Sequence, residues 1–161
     1  MNPINQFKIL SLDQARNCGY AIADKGKIVE YGMIVSDIST TEEFDYVIKD
    51  IKWKVADMIT KEKPLLVTIE AVYEGLNSDT HNKLSRMQGV LINYFIENQI
   101  LYEIIKPSQW YGSAGLKGKS KKQQSPIKAR EVFKDESIGS DTADAIWMCD
   151  YALNKIKVVF A

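Results

Sequence analysis

Four acidic residues stand where a folded chain would bring carboxylates together: Asp13, Glu70, Asp141 and Asp144. Asp13 closes the run KILSLD and Glu70 closes PLLVTIE, so each falls at the end of an apolar strand. A carboxylate in such a position is poorly hydrated unless something pairs with it or coordinates it. Asp141 and Asp144 lie three residues apart in SDTADAIWM, a spacing that puts both on one helix face. Converging carboxylates cannot all stay ionised without a compensating cation. Oxygen donors with no His or Cys among them select Mg²⁺ or Mn²⁺ over zinc. Two such ions about 4 Å apart serve phosphodiester hydrolysis, one activating water and the other steadying the leaving oxygen. Each acid taken alone also has a plainer role, as a turn residue, a solvent-reaching strand end or a first-turn helix acid favoured by the dipole.

A basic run accompanies these acids. Residues 106–134 hold Lys106, Lys117, Lys119, Lys121, Lys122, Lys128, Arg130 and Lys134 against the single acid Glu131, although the chain as a whole is neutral, with 21 basic and 21 acidic residues. A local excess of this kind suits a phosphate-binding surface, and a solvated helix face is the alternative.

The elements that must position these groups follow from periodicity. Residues 8–13, 18–24 and 27–36 read as three strands of an antiparallel meander, with Gly26 in the DKGK turn. Thr40 or Thr41 is expected to cap a helix with Glu42 and Glu43 in its first turn. Phe44, Val47, Ile48, Ile51, Val55, Met58 and Ile59 form that helix's apolar face, and Pro64 ends it. The run 64–70 reads as a central strand covered on both sides. A helix over 79–98 follows, with Leu84, Met87, Leu91, Tyr94 and Phe95 as its stripe and Gly89 marking close backbone packing. A strand at 101–105 comes next, then a glycine-bearing segment 107–119 that reads as a mobile loop, a basic helix 121–134 and a last helix from Ser140. The order is α/β: a mixed central sheet, an antiparallel three-strand meander plus parallel strands, flanked by helices.

The length of 161 residues suits one domain over 1–161. No apolar run is long enough for a bilayer and the N-terminus lacks a signal-peptide pattern, so a cytoplasmic protein that makes no membrane contact is expected. Cys18 and Cys149 have no zinc-type spacing and read as buried hydrophobes. His81, the only histidine, is placed on an exposed helix start without a role, and the tail IKVVFA is left to pack on the sheet or on a partner.

Four stretches in order carry a family resemblance: ILSLDQARNCGYAI, VTIEAVYEGLNSDTHNKLSRMQGV, KPSQWYG with KKQQSPIKAREVF, and SDTADAIWM. Along nearly its whole length the chain resembles the RuvC family of Holliday-junction resolvases, within the RNase H-like superfamily. The resemblance implies an RNase H-like fold and a homodimer joined through the helix at 79–98. It implies paired symmetric nicks in branched DNA, with four-way junctions foremost and forks and flaps as further substrates. It makes Asp13, Glu70, Asp141 and Asp144 the metal ligands, sets Lys122 beside the scissile phosphate and gives Tyr73 a stacking role on bases at the crossover, against the alternative of a core tyrosine. Lys106, Lys117, Lys119, Lys121, Lys122, Lys128 and Arg130 are the expected DNA contacts.

The chain departs from the family at the first motif, where Asp13-Gln14-Ala15 replaces the usual Asp-Pro-Gly, and in the basic loop. These departures resemble phage-encoded members. A catalytically silent binder of branched DNA and an RNase H-like nuclease with another substrate are the competing readings. An actin-like ATPase would need a second domain and a second glycine-rich phosphate loop, for which the chain has no room.

Overall fold

In a computed structural model of the chain, which describes residues 3–73, 75 and 77–158, the two apolar strands that end on acids lie side by side at the centre of one sheet. After a short 3-10 helix (Pro3–Gln6), the elements are β1 (Ile9–Asp13), β2 (Asn17–Asp24), β3 (Lys27–Val35), α1 (Phe44–Glu62), β4 (Leu66–Glu70), α2 (Ser78–Glu97), β5 (Leu101–Ile105), α3 (Pro107–Ser113), α4 (Lys121–Phe133) and α5 (Ser140–Lys155). The five strands run in the order β3-β2-β1-β4-β5. The first three make the antiparallel meander, and β4 pairs in parallel with β1 on one side and β5 on the other. This is the mixed sheet that the sequence pattern implies.

Alternation along the strands divides the core into two layers. Leu10, Leu12, Cys18, Ile22, Val67 and Ile69 point to the face covered by α1 and α2, where Val47, Ile51, Val55, Met87, Leu91 and Phe95 meet them. Ile9, Ala21, Ala23, Leu66 and Ile105 point to the opposite face, under α5 with α3 and α4. Helix α5 is buried at every residue from Thr142 to Cys149, because the sheet lies against one side and α3 and α4 against others. Both cysteines are buried in these layers, and Ile156 and Val158 of the tail pack on the α5 side; residues 159–161 lie outside the described residues.

Several expectations need correction. Neither Thr40 nor Thr41 caps α1: the residue before the helix is Glu43, while Thr41 bonds with Ser39 in a turn of its own. The supposed mobile loop 107–119 is ordered around α3, because Trp110, Ala114 and Leu116 sink into the core and hold it there. Its glycines turn the chain between anchors, Gly115 and Gly118 at positive φ. No heavy atom lies near a Cβ built on Gly89, so this glycine faces an open groove and marks no close packing. His81 is half-buried in the first turn of α2. Among the described residues no helix is long and apolar enough to cross a membrane.

Candidate active site

The strand ends decide where the acids meet. The ladder pairs Leu12 with Ile69, so Asp13 and Glu70 emerge one step later from adjacent parallel strands, at the same edge of the sheet. This is the carboxyl end of β1, β4 and β5, where an open α/β sheet leaves a crevice. Helix α5 arrives over that edge with Asp144 inward on its first turns. One carboxylate oxygen from each of Asp13, Glu70 and Asp144 lies within 4.8 Å of the other two. Asp141 sits one turn earlier and hydrogen-bonds with Asp13. All four line a cleft of about 560 Å³ with Gln14, Tyr73, Leu84, Tyr111 and Lys122.

A glycine lets α5 come so close. Gly19 pairs with Asp13 across β1 and β2, and a Cβ built there would overlap the carbonyl group of Asp141. Any larger residue would displace the start of α5 and with it Asp141. Nothing in the local sequence singles out this glycine, because the close approach comes from an element more than a hundred residues away.

Burial and mutual repulsion set the electrostatics of the four acids. Burial, then the charges of Glu70, Asp144 and Asp141, holds the Asp13 carboxyl well above the usual range, and Lys122 opposes the rise. Burial and Asp144 push Glu70 up to about 7. Burial raises Asp144 to about 6 against the help of Ser125 and Lys122. Asp141 is raised by burial, with Lys122 and the bond to Asp13 acting the other way. Glu70 Oε2 is buried with no hydrogen-bond partner, and Trp110 Nε1, equally unpartnered, faces the same carboxyl. An orphaned carboxylate oxygen among two further carboxylates fits a hard, oxygen-preferring divalent cation. Asp13, Glu70 and Asp144 are the residues placed to hold it.

Helix α4 supports this arrangement. Ser125, fully buried, donates its hydroxyl to Asp144 Oδ1 at 2.6 Å, and its carbonyl accepts the Trp147 indole at 3.0 Å. Pro126 next to it lacks the N–H that would pair with the carbonyl of Lys122, the residue of the first turn of α4 that faces the acids. Tyr111 lines the cleft with its hydroxyl pushed up to about 12 by burial and the acids, so it stays protonated. Gln14, Ser125 and Tyr111 were not expected from the sequence, since a buried amide or hydroxyl carries no local signature.

The basic run divides in two. Lys106, Lys117, Lys119 and Lys122 are exposed, and Lys121 is half-buried with its ammonium 5.9 Å from the Tyr111 ring. Lys128 instead donates to the Ala114 carbonyl and lies 5.6 Å from the Trp147 ring, while Arg130 Nε donates to Ile138 O at 2.8 Å. Both hold α4 against neighbouring segments, so their charge is committed within the fold. Tyr73 is 66 % exposed at the rim of the cleft, which removes the alternative of a core tyrosine.

Comparisons with known proteins bear on the family and the fold. The family model described as crossover junction endodeoxyribonuclease RuvC matches residues 9–149, which include all four acids. A crossover junction endodeoxyribonuclease RuvC from Brachyspira hyodysenteriae is 28% identical over 134 residues, covering 80% of this chain and 82% of the relative. Among solved structures, Thermus thermophilus RuvC in complex with a Holliday junction substrate superposes with a TM-score of 0.72 at 14% identity, over 89% of this chain and 90% of that one. The yeast mitochondrial Holliday junction resolvase Ydc2 gives a TM-score of 0.61 at 14% identity, over 90% and 78%. At these identities the superpositions speak to the fold.

Proposed function

Because the chain belongs to the RuvC family of crossover junction endodeoxyribonucleases, we propose that it resolves four-way DNA junctions by paired, metal-dependent nicks, with Asp13, Glu70, Asp141 and Asp144 as the metal-holding acids. The observation that carries this reading is the convergence of three carboxylates within 4.8 Å, with Asp144 buried and one oxygen of Glu70 orphaned. The donor set suits two Mg²⁺ or Mn²⁺ ions. When bound, such ions supply Lewis acidity to the phosphodiester and lower the pKa of water.

The chain's own residues do the remaining work. The carboxylates would hold the ions, and Lys122 offsets the acids' charge so that a phosphate can approach. Lys106, Lys117, Lys119 and Lys121 extend the positive side of the cleft along the DNA backbone. Tyr73 presents an exposed ring to stack on a base unpaired at the crossover. Forks and flaps share that chemistry and are the further substrates to compare.

Two nicks of like polarity need two sites related by a two-fold axis, which an isologous dimer supplies. The surface that suits it is the apolar groove between α1 and α2, lined by Trp53, Val90 and Tyr94 beside the open Gly89. Trp53 is 54 % exposed in the single chain.

The test is strand-by-strand cleavage of a labelled synthetic junction, with a fork, a flap and plain duplex alongside. Paired symmetric nicks with Mg²⁺ or Mn²⁺, lost in Asp13→Asn while junction binding persists, are the expected result. Tight junction binding by the intact chain without cleavage of any substrate would replace the reading with that of a silent binder.

A further inference from the structure

We infer that Gln14 is a positioning residue for the site: its side-chain amide serves as a false rung of the sheet that fixes the Glu70 peptide, and so sets how tightly the acids bind their metal. The inference rests on the metal-nuclease reading above and adds to it a residue that the chain has where its family usually carries Pro after the aspartate.

The backbone ladder between β1 and β4 ends at Leu12 and Ile69, one residue short of both acids. A strand end without its rung is free to fray, and Glu70 sits at such an end. Gln14 extends the pairing by other means. Its Oε1 accepts the Glu70 N–H at 3.1 Å, and its Nε2 donates to the Glu70 carbonyl at 2.5 Å. One primary amide thus meets both halves of one peptide residue, as a neighbouring strand would. Gln88 on α2 donates to the same carbonyl at 2.8 Å, which uses both lone pairs of that oxygen. On the far side, Glu70 pairs with Ile105, and the next N–H, that of Ala71, bonds the Ile105 carbonyl.

The peptide of Glu70 is therefore held from three directions, while its carboxylate has an oxygen with no partner at all. Gln14 is only 5 % exposed, and both ends of its amide are engaged by the Glu70 peptide. It is also the residue next to Asp13, so a single dipeptide ties one acid to the backbone of another. Ligands whose supporting groups are removed typically lose 10–100-fold in metal affinity.

The experiment measures Mn²⁺ binding to the full-length protein by calorimetry, the Mn²⁺ dependence of junction cleavage, and junction affinity in EDTA. The variants are Gln14→Met, which keeps the shape and removes both bonds, and Gln88→Leu, which removes one of the two donors to the Glu70 carbonyl. Tyr31→Phe is the control, because it loses a bond to Asp135 outside the cleft. Expected are a 10–100-fold weaker Mn²⁺ affinity in Gln14→Met, a smaller loss in Gln88→Leu, cleavage recovered at high Mn²⁺, and unchanged junction affinity without metal. Tyr31→Phe lowers Tm alone. Should Gln14→Met fail to fold, Gln14→Asn, which keeps the amide but shortens its reach to the Glu70 peptide, carries the same comparison. Wild-type Mn²⁺ affinity in a folded Gln14→Met, or in Gln14→Asn where that variant stands in, overturns the inference alone. An intact chain that neither binds Mn²⁺ nor cuts with it overturns the metal reading, and this inference with it.

Discussion

Replacing Glu70 by Gln tests the acid cluster through stability, independently of cleavage. Burial and Asp144 carry the Glu70 carboxyl from its ordinary 4.5 to about 7. At about 1.4 kcal/mol for each tenfold in acidity, the ionised side chain costs about 3 kcal/mol more in the folded protein than in the unfolded chain. A folded value above the unfolded one means that the protonated form is the one folding favours. This stability is present below pH 4.5 and is lost as pH rises to about 7. Asp144, raised from 3.8 to about 6, loses stability over an overlapping window. Glu70→Gln removes the ionisation while leaving an oxygen toward the Trp110 indole. In EDTA at pH 8 the variant should therefore be more stable than the wild type by about 3 kcal/mol, or about 6–12 °C in Tm for a chain of this size. At pH 4.5 the two should melt together. Adding Mg²⁺ should reverse the order at pH 8, because a cation held by the intact site would stabilise it by mass action. Thermal melts at the two pH values, with and without metal, decide the matter. Equal melting at pH 8 in EDTA would refute the claim that the acids crowd one another at a buried site.

Other outcomes follow from the same structure. Gly19→Ala should cost about 3 kcal/mol or more, read by urea unfolding, since its Cβ would overlap the Asp141 backbone. Its cleavage loss should exceed what the unfolded fraction explains. Replacing Lys119, Lys121 and Lys122 together by Ala should weaken junction binding and flatten its salt dependence, by about 0.9 in slope for each DNA phosphate that is no longer neutralised. Lys128→Met should instead lower Tm with little change in that slope, because its ammonium is committed to the Ala114 carbonyl. Trp53→Asp should yield a monomer by light scattering, one that still binds the junction but no longer nicks it in pairs; an unchanged dimer would place the two-fold axis elsewhere.

The two acidic strand ends were legible because a strand states itself locally. Five residues of alternating or continuous apolar character ending on Asp13 or Glu70 need no knowledge of the rest of the chain. The i, i+3 spacing of Asp141 and Asp144 is equally local, and so is the charge of the basic run. What the local pattern could not carry was the use of each group. Lys128 and Arg130 look like Lys119 in the sequence, yet tertiary packing turns the first two inward onto carbonyls. Segment 107–119 has the glycines of a mobile loop, yet burial of Trp110 anchors it, because burying one large side chain outweighs several flexible residues.

By itself, then, the amino-acid order determined which carboxylates end strands, which face of each element is apolar and where positive charge gathers. The periods of helix and strand write those properties into neighbouring residues. Only the tertiary structure decided that β1 and β4 lie side by side, that Gly19 admits α5 to their ends, and that Gln14 and Ser125 hold Glu70 and Asp144 in place. Each of those pairings joins residues from 19 to more than a hundred positions apart. Their strength comes from burial and exclusion of water, which no stretch of the chain possesses until the others have packed around it.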